Sequence, residues 1–272
     1  MNDYAAQFSD GVASRISAHM MLRSLTLSCL GTIAGRERSA FLKCFFCHYV
    51  FDDQVPKFEA KIELLLALGT FVDTSTALDM IEGKRPIERP SFHLSFDDGF
   101  KNIIINALPV LKKHKVPSLF FVPTSFIGAS YEKVSDYCLN IAEYKNPIEM
   151  CSWDDLRSAM EAGMEIGSHT RTHARFSDIS NNYGRMADEF VGSREDIEKN
   201  LGVSCSTISW PYGRMDDADM ASVRAVKDAG YRACFGSFRG TVRDGGCDPL
   251  MIPRHHFEPQ WPVRHVKYFV CK

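Results

Sequence analysis

Short apolar segments alternate with longer amphipathic segments along most of the chain. The apolar segments are rich in Val, Ile, Leu and Phe, which is typical of strands, and the longer segments repeat their apolar residues at helical spacing. The predicted strands cover residues 43–50, 91–96, 118–123, 165–168, 207–210 and 232–235. The predicted helices cover residues 57–68, 102–114, 153–162, 185–201 and 218–230. This alternation indicates an α/β fold with parallel strands joined by helical crossovers.

The amino-terminal residues lie outside this alternation. Near one helical face of residues 14–33 lie Ile16, Met20, Leu27 and Leu30. We therefore predict a helical extension over residues 1–40, packed on a body formed by residues 41–272.

The same region does not have the pattern of an export signal. Its apolar stretch is broken by Arg23 and Gly31, and the acidic Asp3 and Asp10 precede it. No run of about 18 consecutive apolar residues occurs anywhere in the chain. We expect neither an export signal nor a membrane-spanning segment.

Composition and charge restrict the partners and the compartment. The 32 basic and 34 acidic residues give a net charge of −2, so no bulk field attracts nucleic acid. Nine cysteines are an odd number, so at least one lies outside any intrachain disulfide, and free thiols suit a reducing compartment. We expect a cytoplasmic protein, and the sequence leaves its oligomeric state open.

Polar residues fall directly after several of the predicted strands. These residues are His48, Asp97, Asp98, His169, Tyr212 and Arg254. In a parallel barrel the carboxyl ends of the strands share one face, where active sites lie. Side chains that are far apart in the sequence are therefore expected to converge.

Two imidazoles and a carboxylate suggest a metal site. His169 and His173 are four residues apart, and Asp98 supplies a third ligand that leaves a coordination position open, as in catalytic zinc sites. A bound metal lowers the pKa of its water toward ~7, and the adjacent Asp97 could accept the proton. Taken alone, the histidine pair is a common chance pattern, and Asp97-Asp98-Gly99 is a common turn.

Three segments, in this order, resemble successive motifs of the polysaccharide deacetylases, also called the NodB-homology domain or carbohydrate esterase family 4. They are Ser-Phe-Asp-Asp-Gly at 95–99, His-Thr-Arg-Thr-His at 169–173 and Trp-Pro-Tyr-Gly at 210–213. The similarity extends from about Cys47 to Arg254. It implies a distorted (β/α) barrel that removes an N-acyl group, usually N-acetyl, from a sugar with one divalent ion. Zinc is the first expectation, and cobalt, nickel or manganese are the alternatives.

The resemblance also implies a role for each matching residue. Asp98, His169 and His173 would hold the metal, and Asp97 would be the catalytic base. The backbone N–H of Tyr212 would help to stabilise the oxyanion of the tetrahedral intermediate.

Two departures from the family pattern affect the residues around the base. Many members have an arginine where this chain has Ser209, so we predict that Arg254 is the substitute partner of Asp97. The second motif often ends in His-Pro, whereas His173 precedes Ala174 here, which should alter the loop and leave the ligand in place.

The general acid is harder to assign. The carboxyl-terminal Leu-x-His motif of many members is not recognisable, and His255, His256 and His265 are the candidates to protonate the leaving amine. His256 ranks first because of its position after the last strand.

The first predicted strand allows other interpretations. Cys44 to His48 matches the C-x-x-C-H pattern of haem attachment or of a redox dithiol, but strand alternation would send Cys44 and Cys47 to opposite faces. We assign His48 to the border of the substrate pocket, with a buried core histidine as the alternative. Trp210 is likewise either an apolar wall for a sugar or ordinary packing.

The sequence therefore predicts a metal-dependent hydrolase that deacylates an amidated sugar or glycan precursor in surface-polysaccharide or lipopolysaccharide assembly. Acetyl is the first choice of acyl group and formyl the second. The departures at Ser209 and in the carboxyl-terminal segment keep an alternative open, a carbohydrate-binding relic that has lost catalysis. Binding alone would not need Asp97.

Overall fold

A computed structural model describes residues 3–8, 18–33, 39–217, 219–243 and 246–271. Of residues 5, 6, 18–21 and 33 it describes the backbone alone. Ile16, which the helical extension was predicted to use, lies outside these ranges, and the side chain of Met20 is not described.

Within these ranges, eight strands form one sheet in which every strand pair is parallel. The strands are Phe41–Cys47 (β1), Thr70–Phe71 (β2), Pro90–Phe96 (β3), Ser118–Val122 (β4), Met164–Ser168 (β5), Thr207–Ser209 (β6), Ala233–Phe235 (β7) and Arg254–His256 (β8). The order is β7-β6-β5-β4-β3-β1-β8, with β2 beside β3. A parallel bridge from Phe235 to Ile252 joins the two ends of this order. The predicted distorted (β/α) barrel is confirmed.

The apolar runs of the sequence are strands covered on both faces. In β1, Phe41 and Phe45 pack in the layer between the sheet and the outer helices, whereas Leu42 and Cys44 belong to a second cluster inside the barrel. Because parallel strands are buried on both faces, β1 does not alternate with polar residues. Its one charged residue, Lys43, is buried and donates to the Phe269 and Val270 carbonyls.

Twelve α-helices are described in these ranges. They are Tyr4–Phe8 (α1), Ala18–Ile33 (α2), Val55–Leu68 (α3), Thr74–Ile81 (α4), Leu108–His114 (α5), Tyr131–Asp136 (α6), Trp153–Glu161 (α7), Phe176–Ile179 (α8), Tyr183–Ala187 (α9), Ser193–Leu201 (α10), Met220–Asp228 (α11) and Val263–Val270 (α12). Two predicted helices are interrupted, because π-helical turns at 103–107 and 188–192 precede α5 and α10. No helix of the described ranges has the length and apolarity that crossing a bilayer requires.

Helix α4 closes the amino-terminal end of the barrel. Its residues Leu78 and Ile81 join the interior cluster. Glu165, near the start of β5, accepts a hydrogen bond from the Thr74 N–H at 3.1 Å, and Arg232, just before β7, pairs with Asp79 and Glu82. The barrel is therefore open at its opposite end, where the carboxyl ends of the strands lie.

The amino-terminal helix α2 packs on α12. Of the residues predicted to form its packing face, Leu27 is partly buried, whereas Leu30 is 41% exposed. Ser24 and Ser28 lie 3.5 and 3.3 Å from His265 Nε2, and a side chain at Gly31 would clash with the Arg264 carbonyl. Small residues therefore allow the close approach of the two helices.

Lowering the pH should destabilise the protein through His93 in the barrel interior. Burial, followed by the nearby Arg254 charge, lowers the pKa of His93 from 6.5 to about 3. Only the unfolded chain then binds this proton between those values, so stability falls as the pH drops below about 6.5. We expect His93→Gln to reduce the pH dependence of the unfolding free energy by up to about 1.4 kcal/mol per pH unit, measured by urea titration. Gln keeps a polar group beside Thr74 Oγ1, and equal slopes in both proteins would contradict this assignment.

Candidate active site

A cavity of about 530 Å³ opens at the carboxyl ends of the strands. Nine of the residues that we singled out for the site line it: His48, Asp97, Asp98, His169, His173, Trp210, Tyr212, Arg254 and His256. They follow or belong to β1, β3, β5, β6 and β8. The parallel barrel thus brings together residues that are more than 200 positions apart in the sequence.

Asp98, His169 and His173 form a compact triad. The Asp98 Oδ1 lies 3.5 Å from His169 Nε2 and 3.4 Å from His173 Nε2. One ligand atom from each residue lies within 4.8 Å of the others, and all three residues are buried. Burial alone raises the pKa of Asp98, but the two histidines beside the carboxylate lower it well below the usual value, so the carboxylate is ionised.

The donor set of this triad fits a divalent cation. One carboxylate oxygen and two imidazole nitrogens are ligands that zinc accepts. The His169 Nδ1 lies 2.8 Å from the Ser209 carbonyl oxygen, which assigns the proton to Nδ1 and leaves Nε2 free to ligate. Asp98, His169 and His173 are the residues that could hold a metal here.

Four residues in the loops around the site have a left-handed backbone, a conformation that residues with a Cβ atom disfavour. The φ angles are +73° at Asp98, +61° at Thr170, +62° at His173 and +62° at Tyr212. Each costs about 1–2 kcal/mol unless the surroundings stabilise it. Such outliers cluster at functional sites because a fixed side-chain direction is needed there.

Glu189 holds the loop that carries the two histidines. Its buried carboxylate accepts hydrogen bonds from the N–H groups of Arg171 at 2.9 Å and Thr172 at 2.8 Å, and from the Thr172 hydroxyl. Glu189 was not predicted as a site residue, because it belongs to the predicted helix over 185–201. The π-helical turn that places it has no clear signal in the sequence.

Asp97 is paired with Arg254, as the sequence predicted. The guanidinium donates two parallel hydrogen bonds to the carboxylate, from Nη1 to Oδ1 at 2.8 Å and from Nη2 to Oδ2 at 2.7 Å. Both residues are buried. Burial raises the pKa of Asp97, but the charge and hydrogen bonds of Arg254, together with the nearby His169 and His48, lower it below its usual value, so the carboxylate is ionised and able to accept a proton.

Every N–H of the Arg254 guanidinium has an acceptor. Besides Asp97, it donates to the Gly236 carbonyl at 2.7 Å, to Ser95 Oγ at 3.0 Å and to Ser209 Oγ at 2.6 Å. Many family members have an arginine at the position of Ser209. In this chain Ser209 contacts Arg254, the arginine that pairs with Asp97 instead. The guanidinium also lies 4.1 Å from the centre of the Phe46 ring.

Tyr144 is a further site residue that the sequence analysis missed. Its hydroxyl donates to Asp98 Oδ2 at 2.7 Å, on the carboxylate oxygen that does not face the histidines. Burial, and then the Asp98 charge, raise the pKa of Tyr144 well above its usual value, so the phenol stays protonated. Tyr144 lies outside the recognised motifs, so nothing in the sequence indicated its role.

Tyr212 and Trp210 contribute differently to the cavity wall. Tyr212 is 36% exposed, and Gly213 follows it with φ +67°, where an added side chain would lie 2.6 Å from the Ser237 nitrogen. The Tyr212 N–H has no acceptor among the described residues. Trp210 lines the cavity but is only 1% exposed and stacks on Phe238, so most of its surface is core packing.

His48 and His256 lie side by side in the cavity. Their ring centres are 5.1 Å apart, and His256 Nε2 lies 3.0 Å from Glu258 Oε1. Burial lowers the pKa of His48, and the Asp98 charge partly offsets this effect. Glu258, which the sequence analysis did not name, also lines the cavity.

The other two candidate acids do not line the cavity. His255 lies on the opposite face of β8, 2.8 Å from the Gly240 carbonyl oxygen. His265 belongs to α12 and faces α2, 3.0 Å from the Ser24 carbonyl oxygen. The side-chain alternation of β8 explains why neighbouring histidines differ.

The redox interpretation of the first strand has no geometric support. Cys44 lies in the interior cluster and Cys47 in the outer one, as strand alternation predicted. Burial raises the pKa of Cys44 to about 12 and that of Cys47 well above its usual value, which disfavours the reactive thiolate.

Removing Arg254 should destabilise the protein strongly. Arg254→Gln leaves the buried Asp97 charge without its partner, and we expect a loss of about 3–5 kcal/mol in the free energy of unfolding, measured by urea titration. Asp97→Asn, which is nearly isosteric, provides the comparison.

The double variant tests whether the loss comes from this ion pair. We expect the effect of Arg254→Gln to be smaller in an Asp97→Asn background, because no charge is left unpaired there. Strictly additive losses would show that the two residues contribute independently.

Comparison with known proteins gives consistent results. The chain is 27% identical over 201 residues to the poly-beta-1,6-N-acetyl-D-glucosamine N-deacetylase of Staphylococcus aureus strain MRSA252, covering 68% of this chain and 63% of that protein. Thus the chain spans somewhat less than two thirds of the relative's length.

Solved structures share the fold. The IcaB structure from Ammonifex degensii superposes with a TM-score of 0.69 at 20% identity, covering 85% of this chain and 98% of that one. The Streptococcus pyogenes deacetylase PplD superposes with a TM-score of 0.66 at 14% identity, covering 84% and 97% of the two chains.

The sequence profile of the polysaccharide deacetylase family matches residues 84–234, more than half of the chain. This range contains all three motifs, and the site geometry agrees with them. The chain belongs to the polysaccharide deacetylase family.

Proposed function

We propose that this protein is a metal-dependent N-deacylase that removes an acetyl group from an N-acetylated amino sugar. The observation that carries the proposal is the pairing of two adjacent buried carboxylates with different partners. Asp98 faces His169 and His173, whereas Asp97 is held by Arg254. A site that only bound sugar would not need a second buried, ionised carboxylate next to the triad.

Each site residue then has a defined task. A divalent cation, with zinc as the first choice, would be held by Asp98, His169 and His173, and would supply Lewis acidity toward the acyl carbonyl and a water. Asp97 takes the proton of the attacking water, and Arg254 keeps Asp97 ionised and oriented. The free N–H of Tyr212 donates to the developing oxyanion.

The leaving amine takes its proton from the histidine pair. His256, our first candidate, lies 3.0 Å from the Glu258 carboxylate. The ring of His48 lies next to that of His256, and burial lowers the pKa of His48 while the Asp98 charge partly offsets this effect. We therefore propose that His48 donates a proton to the leaving nitrogen and regains one from His256, which Glu258 supports. His255 and His265 have no part in this step.

The substrate proposal uses the size of the cavity and the relatives. About 530 Å³ accommodates one or two sugar units. The name of the Staphylococcus aureus relative makes N-acetylglucosamine units the first substrate to test. We place the reaction in surface-polysaccharide or lipopolysaccharide assembly, on a glycan or its precursor, with residues 41–272 as the catalytic body.

We also propose that the protein works in a reducing compartment, the cytoplasm. All nine cysteines lie within the described ranges, and each is a free thiol. Most of them are buried, so an oxidising compartment would bring no structural gain.

Zinc-loaded protein should release acetate from N-acetylglucosamine oligomers, detected as a mass decrease of the sugar. We expect Asp97→Asn to retain one cation per chain but to lose most turnover, on the order of 10²–10⁴-fold, because only the base is removed. Asp98→Asn should lose both metal and turnover, since it removes a ligand.

Three results would contradict this proposal. Wild-type protein that binds no divalent cation would remove the metal-dependent mechanism. Cation and sugar binding without release of any acyl group would indicate a binding protein, and release of formate in place of acetate would change the acyl group.

Activity on an ester substrate distinguishes the role of the proton donors from that of the base. The leaving group of 4-nitrophenyl acetate departs without protonation, whereas a sugar amine must be protonated. We expect His48→Gln to reduce amide hydrolysis by about 10²-fold or more and His256→Gln by less, while both variants keep ester hydrolysis. Asp97→Asn should lose both activities. Equal losses on ester and amide in His48→Gln would show that His48 is not the donor.

A further inference from the structure

The two oxygens of Asp98 have different partners. Oδ1 faces His169 and His173 at 3.5 and 3.4 Å, and Oδ2 accepts the hydrogen bond from Tyr144 at 2.7 Å. The carboxylate is 3% exposed, so water does not compete for Oδ2. One oxygen is thus directed at the candidate metal position, and the other is held by a phenol.

Tyr144 is itself fixed by the surrounding segment. Its N–H donates to the Cys138 carbonyl at 2.6 Å, and its ring packs edge-on against Phe100 at 5.2 Å between ring centres. Two residues further on, Asn146 exchanges hydrogen bonds with Gln7. The hydroxyl therefore approaches Asp98 from a backbone position that does not depend on the carboxylate.

We propose that Tyr144 is a positioning residue that restricts Asp98 to ligation of the divalent cation through one oxygen. This inference rests on the metal-dependent function proposed above. A carboxylate whose second oxygen accepts a hydrogen bond cannot rotate to ligate a cation with both oxygens. A coordination position therefore stays open for water and the acyl oxygen. Outer partners of metal ligands act in this way, and their loss typically weakens metal binding by about 10–100-fold.

A second buried phenol provides a matched control. The ring of Tyr137 contacts that of His173, with centres 5.5 Å apart. Burial, and then the Asp98 charge and a contact with the Asp98 side chain, raise the pKa of Tyr137 well above its usual value. Among the described residues its hydroxyl makes no hydrogen bond of normal geometry, whereas that of Tyr144 donates to Asp98 at 2.7 Å. Tyr137→Phe therefore removes a buried hydroxyl near Asp98 that holds the carboxylate less closely than Tyr144 does.

The test measures metal binding in addition to activity. Zinc and cobalt affinities of wild-type, Tyr144→Phe and Tyr137→Phe proteins are obtained by competition with a chromophoric chelator, and the visible absorption of the cobalt forms is recorded. We expect Tyr144→Phe to weaken binding by about tenfold or more and to change the cobalt spectrum, because Asp98 ligates differently. Tyr137→Phe should match the wild type in both measurements.

The outcomes separate this inference from the proposed function. A wild-type protein that binds neither cation would overturn the metal-dependent function. Wild-type binding together with unchanged affinity and spectrum in Tyr144→Phe would overturn the role of Tyr144 alone. Equal weakening in Tyr137→Phe would also overturn it, since any buried hydroxyl would then have the same effect.

Discussion

The site depends on the burial of two adjacent carboxylates, Asp97 and Asp98, at the mouth of the barrel. An isolated buried charge is costly, so each carboxylate requires its own partners. Arg254 supplies a full charge and two hydrogen bonds to Asp97, while Asp98 has His169, His173 and Tyr144. Without this separation of partners, two acids one residue apart would repel each other, and one would be protonated at neutral pH.

The same constraint explains the unusual backbone of the loops. Asp98 is the last residue before Gly99, and its left-handed conformation turns its carboxylate away from that of Asp97. The strain is offset by contacts that lie outside the motifs, such as the hydrogen bonds of Glu189 to the histidine loop. The loop after β5 can therefore keep its unfavourable φ angles, because its N–H groups have buried acceptors.

Much of the barrel and the central site could be predicted from the sequence, because both depend on local signals. Buried parallel strands are apolar runs, and Asp98 and His169 follow such runs directly. The parts that were missed depend on tertiary contacts. Helix α4 is short and plugs the barrel, and Tyr144 approaches Asp98 from a connecting segment 46 residues away. Neither position has a periodicity or spacing that indicates its role.

The arginine that pairs with Asp97 comes from β8 in this chain, and not from position 209 in β6. The geometry of the closed barrel explains this difference. Position 209 ends β6 and Arg254 begins β8, yet Ser209 Oγ lies 2.6 Å from the Arg254 Nη2. A guanidinium that enters from β8 therefore occupies the space beside residue 209, and a second arginine there would meet it as a like charge in a buried site. A small hydroxyl at 209 instead satisfies the last N–H of Arg254. The serine is thus the complement of the relocated arginine, and its presence argues that the charge on Asp97 is still balanced.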